Sequence, residues 1–149
     1  MKVTLAIALG LSFFASAAFA DDAASTQILD RHVAAMKAGD LKAVLADYAD
    51  DAVAITPHGV APGQKAAGSI DVFSGKQNVT KLFSVLTDKA HVPSNKTMET
   101  RYEPRTDGTV LMHWEQNKGQ PTHVSGVDVF VFRGGKIAFQ DVTIDSASH

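Results

Sequence analysis

The segment GVDVFVFRGGKIAFQDVTI, Gly126–Ile144, decides how this chain is read. Two runs of β-branched and aromatic residues flank Arg133-Gly134-Gly135, the signature of two antiparallel strands joined by a tight turn. In the first run Gly126, Asp128, Phe130 and Phe132 share a face with Val124, while Val127, Val129 and Val131 point the other way. Both faces are apolar, so the strand is expected to be covered on both sides and Asp128 to be buried with it. A buried carboxylate needs a partner or must stay neutral. The residues leave two readings of Asp128 open. One is an acid of raised pKa or a carboxylate that orients a histidine; the other is a carboxylate bonded to a neighbouring hydroxyl or backbone donor.

Working outward, Asn95–Glu103, Thr109–Gln116, Thr122–Phe132 and Lys136–Ile144 are strand-like. Turn signals at Thr106-Asp107-Gly108 and Asn117-Lys118-Gly119-Gln120 separate the earlier ones. Upstream the period changes. From Ser25 to Ala38 the apolar positions Leu29, Val33 and Met36 fall at helical spacing with His32 on the same stripe, and Gly39 closes the helix. Asp40 caps a second helix, LKAVLADYA, with Leu41, Val44, Leu45 and Tyr48 on one face. Ala52–Thr56 reads as a strand ended by Pro57, and Gly75–Thr87 as a third helix. The Gly-, Pro- and Ala-rich span from His58 to Ser74 reads as a loop over a pocket mouth. Helices first and an antiparallel meander second define an α+β domain, and a sheet wrapped on helices leaves a cavity between them.

MKVTLAIALGLSFFASAAFA, Met1–Ala20, carries one cation, an apolar run and small residues before Asp21. That is the pattern of a secretory signal peptide cleaved after Ala20. A membrane anchor is the weaker reading, since the uncharged stretch is barely long enough to span. Setting aside 20 of the 149 residues leaves 129, one domain by length. With Lys2 removed, 13 basic side chains face 16 acidic ones. Neither sign dominates, which argues against nucleic acid or an anionic membrane as partner. With no cysteine the exported chain has no disulfide, so its stability must come from a hydrophobic core. Asn78-Val79-Thr80 and Asn95-Lys96-Thr97 fit a glycosylation sequon by coincidence of spacing.

RHVAAMKAGDLKAVLADYADDAVAITPHG (Arg31–Gly59), FSGKQNVTKLF (Phe73–Phe83) and the Gly126–Ile144 segment together resemble the nuclear transport factor 2-like superfamily. Within it the chain is similar to the SnoaL-like and ketosteroid isomerase-like branch, over essentially the whole length after Ala20. The resemblance implies a cone: three helices packed on a strongly curved, mostly antiparallel sheet, with a pocket at one end. It also implies homodimers formed through the sheet, for which Met112, Trp114, Val127, Val129 and Val131 are the outward candidates. Activity within the superfamily varies, so fold alone does not give function.

Ketosteroid isomerase uses an Asp base with a Tyr and a protonated Asp, whose environments tune their proton affinities. The resemblance places His32 at the Tyr, Thr56 at the base and Asp128 at the protonated Asp. A threonine hydroxyl cannot take a proton from carbon near neutral pH, so that mechanism is not expected here. Aligned through the turn before Pro121, Leu111, His113 and Glu115 are expected to face the cavity, although a slip of one residue would exchange them for Met112 and Trp114. His113 would then meet Asp128, with His32 approaching from the helix. Asp128, His113 and His32 are thus the candidate catalytic residues. Thr56, Tyr48, Leu111, Glu115, Phe130 and Gln140 are the candidate ligand contacts, although Tyr48 and Phe130 also suit a core. His32, His113, His123 and Asp128 have zinc chemistry but no HxH or HxxxH spacing, so neither metal nor cofactor is expected. His58, His91 and His149 read as exposed. Two functions follow: a pocket for a small hydrophobic molecule, or a cofactor-independent acid–base enzyme.

Overall fold

The computed structural model describes residues 22–61, 64–65 and 70–147; Met1–Ala20 lies outside them. The first helix, α1, spans Asp22–Ala38 and presents Leu29, Val33 and Met36 inward as its spacing predicts. Gly39, at φ 70, turns the chain, and the Asp40 carboxylate accepts the Ala43 N–H to start α2, Leu41–Ala46. This helix is shorter than its sequence suggests, because Tyr48 already belongs to strand β1, Tyr48–Pro57. Tyr48 lies opposite Ile137, and the Ile137 N–H donates to the Asp47 carbonyl at the corner. Arg31 reaches from α1 to the Asp47 carboxylate at 3.0 Å and ties the same corner down.

The span after His58 is more ordered than a loop. It contains the two-residue β2, Gln64–Lys65, and β3, Ile70–Ser74, which pairs antiparallel with β1. Asp71 and Phe73 alternate into the interior there, as β-branched and aromatic spacing dictates once a partner strand is present. Phe73 is a core residue. Next come α3, Lys76–Leu86, and one further helical turn, α4, Val92–Asn95. The expected strand from Asn95 therefore starts later, as β4, Glu99–Pro104. Asn95 is instead buried, donating to the carbonyls of Leu86 (2.7 Å) and Met36 (3.3 Å), which excludes it as a glycosylation acceptor. Strands β5, Thr109–Gln116, β6, Val124–Arg133, and β7, Lys136–Ala147, complete the chain.

Among the described residues the strands form one sheet, ordered β2-β3-β1-β7-β6-β5-β4, antiparallel except for the β1–β7 pair. Register shifts between Tyr48 and Val53, Ser125 and Gly126, and Val131 and Phe132 bend it around the helices. Leu29, Val44, Val79, Leu82 and Phe83 from the helices meet Tyr48, Phe130 and Ile137 from the sheet. No helix of the described residues is long and apolar enough to cross a membrane.

Gly126 sits where backbone and ring leave no room: a Cβ there would lie 1.9 Å from the Thr143 carbonyl oxygen and 2.7 Å from the Trp114 ring. Gly126→Ala is expected to cost at least about 1–3 kcal/mol, the usual range for overpacking. Its denaturant midpoint should fall and its Trp114 near-ultraviolet dichroism should change. Unaltered stability would mean that the indole does not lie against this glycine.

Candidate active site and cavity

Strand alternation places Asp128 on the inner face of β6, opposite Met112 of β5 and Val142 of β7. Trp114, opposite Gly126, lays its indole across that bare position, and Nε1 donates to Asp128 Oδ1 at 2.7 Å. From the other side Gln140 Nε2 donates to Asp128 Oδ2 at 2.8 Å. The Tyr48 hydroxyl donates in turn to Gln140 Oε1. Each group fixes the next: the phenol orients the amide, and the amide and indole hold one carboxyl oxygen each.

Burial pushes the Asp128 carboxyl up from 3.8 to about 7, although the Gln140 and Trp114 hydrogen bonds pull the other way. The group is therefore poised to exchange a proton near neutral pH. Burial, with the Asp128 and Asp47 charges adding to it, raises Tyr48 well above 10, so it stays a phenol and a donor.

Asp128 lines a cavity of about 390 Å³ between helices and sheet. Its walls are mostly apolar, with Val33 and Met36 from α1, Phe83 and Leu86 from α3, and Met112 and Val142 from the sheet. His32 lies in the same wall, 3% exposed, edge-on to Tyr48, Phe83 and Phe130. Burial lowers its pKa from 6.5 to about 4, so the ring is neutral, and its Nδ1 has no hydrogen-bond partner among the described residues. Thr56 also lines the cavity, but its hydroxyl donates to the Pro57 carbonyl at 3.1 Å.

The structure thus brings Asp128, His32, Thr56 and Gln140 to one cavity. Tyr48 stands behind Gln140, and Phe130 is core beside His32. The expected set Leu111, His113 and Glu115 faces the opposite side of the sheet. His113 Nε2 meets Glu103 at 3.2 Å, and Glu115 pairs with Lys118 at 2.7 Å and lies 3.4 Å from His123. His113 is therefore not the partner of Asp128, and the histidines do not converge on it. The error is one residue of register: the connection from Asn117, at φ 54, through His123 aligns Met112 with Asp128. Burying Met112 and Trp114 rather than His113 and Glu115 decides it. Met112 and Trp114 are accordingly lost from the outward face. The missed signal was Gly126, since a glycine inside a strand marks a close approach, here that of Trp114. His91, read as exposed, also lines the cavity.

The SnoaL-like domain family profile matches residues 29–140, and the chain belongs to that family. Its fold recurs in a protein of unknown function from Burkholderia xenovorans described as NTF-2 like, at TM-score 0.61 and 19% identity, covering 86% of this chain and 88% of that one. A putative isomerase from Bacillus subtilis superposes at TM-score 0.63 and 17% identity, covering 83% and 87%. The epoxide hydrolase/cyclase-like enzyme SalBIII of pyran ring formation in salinomycin does so at 0.57 and 21%, covering 83% and 92%. No functionally curated protein matches the chain.

The two buried groups titrate in opposite senses. Asp128, raised when folded, contributes stability that is full below pH 3.8 and is lost as pH rises through about 7. His32, lowered when folded, contributes stability that is full above pH 6.5 and is lost as pH falls through about 4. Each is worth at most about 1.4 kcal/mol per pH unit within its window. Relative to the unaltered protein, Asp128→Asn should therefore gain stability as pH rises from 4 to 7, and His32→Leu should lose it between 4 and 6.5. Denaturant titrations across this range check both signs, and parallel curves for all three proteins would contradict the assignments.

Proposed function

We propose that this SnoaL-like domain binds a small, mainly apolar molecule in the cavity between helices and sheet, with an oxygen function of that molecule against Asp128. The observation that carries this reading is a buried carboxyl group at an apolar cavity wall, gripped by two N–H donors and titrating near neutrality. When protonated, Asp128 can donate to a carbonyl; when ionised, it can accept from a hydroxyl. A volume of about 390 Å³ suits a compact ligand.

A second reading is a cofactor-independent acid–base enzyme of isomerase, dehydratase or cyclase type acting on a small hydrophobic carbonyl or alcohol. The proton affinity of Asp128, about 7, supports it, since acid–base groups work best with a pKa close to the operating pH. Thr56 leaves the ketosteroid isomerase route without its base. Export is proposed from the leader-like Met1–Ala20. A homodimer is proposed from the outer sheet face, where register sets Val72, Ile55, Asp141 and Val129 in one row and Ser74, Val53, Phe139 and Val131 in the next.

The binding reading is tested with 2-naphthol and naphthalene, which differ by one hydroxyl. The protein should prefer 2-naphthol, and Asp128→Leu should lower that preference about three- to ten-fold, the worth of one hydrogen bond. Equal preference in a folded Asp128→Leu variant would remove Asp128 as the contact, and failure of both compounds to bind would remove the reading. Val131→Lys should convert a dimer, measured by light scattering, into a monomer. A monomeric unaltered protein would dismiss the dimer.

A further inference from the structure

The polar side chains at the open end of the cavity divide into a set that satisfies itself and one group that does not. Asn117 Nδ2 donates to Ser94 Oγ at 2.9 Å, and Ser94 Oγ donates to Gln116 Oε1 at 3.1 Å. Gln116 Nε2 donates to Asn95 Oδ1 at 3.1 Å, and Asn95 Nδ2 ends the series on the Leu86 carbonyl at 2.7 Å. This series is closed by its own geometry and leaves no strong donor or acceptor seeking a ligand.

His91 differs. It lines the same cavity, and its side chain is 44% exposed. Its Nδ1 lies 2.9 Å from Asp88 Oδ1, which also accepts the main-chain N–H groups of Ala90 (2.8 Å) and His91 (2.9 Å). The turn is thus wound around one carboxylate oxygen, and that oxygen demands a proton on Nδ1. The hydrogen bond from His91, the largest influence on Asp88, keeps its carboxyl below the usual range and so ionised as an acceptor. With Nδ1 protonated, a neutral imidazole carries its lone pair on Nε2. No hydrogen bond joins that nitrogen to another of the described residues.

We infer that His91, positioned by Asp88, is the second polar contact of the cavity, and that the occupant is bifunctional: an apolar body with an oxygen function at each end. One oxygen meets Asp128 at the buried end, and the other is a hydroxyl that donates to His91 Nε2 at the open end. Met36, Leu86, Met98 and Met112 line the cavity along with them and provide for the apolar body. This rests on the binding reading above. It narrows that reading from any hydrophobic alcohol or ketone to diols, hydroxyketones and their like.

The test compares 2-naphthol with 2,6-dihydroxynaphthalene, by calorimetry in mildly alkaline buffer. The unaltered protein should favour the dihydroxy compound about three- to ten-fold, one neutral hydrogen bond's worth. His91→Phe should erase that preference, so that the variant binds the two compounds with equal affinity. Asp88→Asn should weaken the preference while releasing the ring to the Nε2–H tautomer, read by long-range proton–nitrogen NMR. The unaltered protein should show the Nδ1–H tautomer at His91 in the same experiment. A preference that survives His91→Phe, its absence in the unaltered protein, or an Nε2–H tautomer there would each overturn the inference. Failure of every naphthol to bind overturns the binding reading as well. Equal 2-naphthol affinity in Asp128→Leu overturns only the role of Asp128 and leaves the His91 result standing.

Discussion

One carboxyl group kept out of water sets the terms for the centre of this sheet. Asp128 is 4% exposed, and an unpartnered charge at such depth costs several kcal/mol. Two N–H donors offset that cost, and each comes from a different neighbouring strand: Trp114 from β5 and Gln140 from β7. Three strands must therefore hold one register at a single level. A slip of β5 by one residue would carry the indole to the outer face and strand a carboxyl oxygen, so the polar cluster fixes what the apolar pattern alone leaves ambiguous. Gly126 and Tyr48 are needed for the same reason, the first by making room for the indole and the second by aiming the amide.

The same cluster gives the cavity its electrical character. His32 is neutral and Tyr48 is a phenol, both because burial disfavours their charged forms. Asp128 alone among these three changes charge near pH 7. The buried end therefore alternates between neutral and singly negative, which suits an uncharged ligand and repels an anion unless a proton enters with it.

Much of this was legible in the residues. The hairpin around Gly134, the helix stripe of Leu29, Val33 and Met36, and the burial of Asp128 follow from alternation and period. The partner of Asp128 did not follow. His113 was the chemically attractive choice, and strand periodicity treats Leu111–His113–Glu115 and Met112–Trp114–Gln116 as equal candidates until burial is weighed. Weighing it favours the indole and thioether, and Gly126 marks the place where the indole lies. The hydrogen bonds of Gln140 join side chains 92 and 12 residues apart, and no local pattern encodes them. His91 was hidden because a histidine beside a Val-Pro turn looks exposed, and only the packing of α4 against α1 turns it to the cavity.

The position at Thr56 bears on which chemistry the cavity can support. A carboxylate is nearby, since Asp71 lies directly across the β1–β3 ladder from Thr56 and is equally buried. Its oxygens, however, are engaged by His58 Nδ1 and the Gly59 N–H, each at 2.9 Å, where they hold the turn that leaves β1. Asp71 therefore holds that turn in place. Among the described residues that line the buried end, Asp128 is the group whose pKa, about 7, lets it take up and return a proton near neutrality. A reaction there would have to pass its proton out and back through that single carboxyl. Isomerisation and ring closure, which leave the proton count of the substrate unchanged, fit such a site.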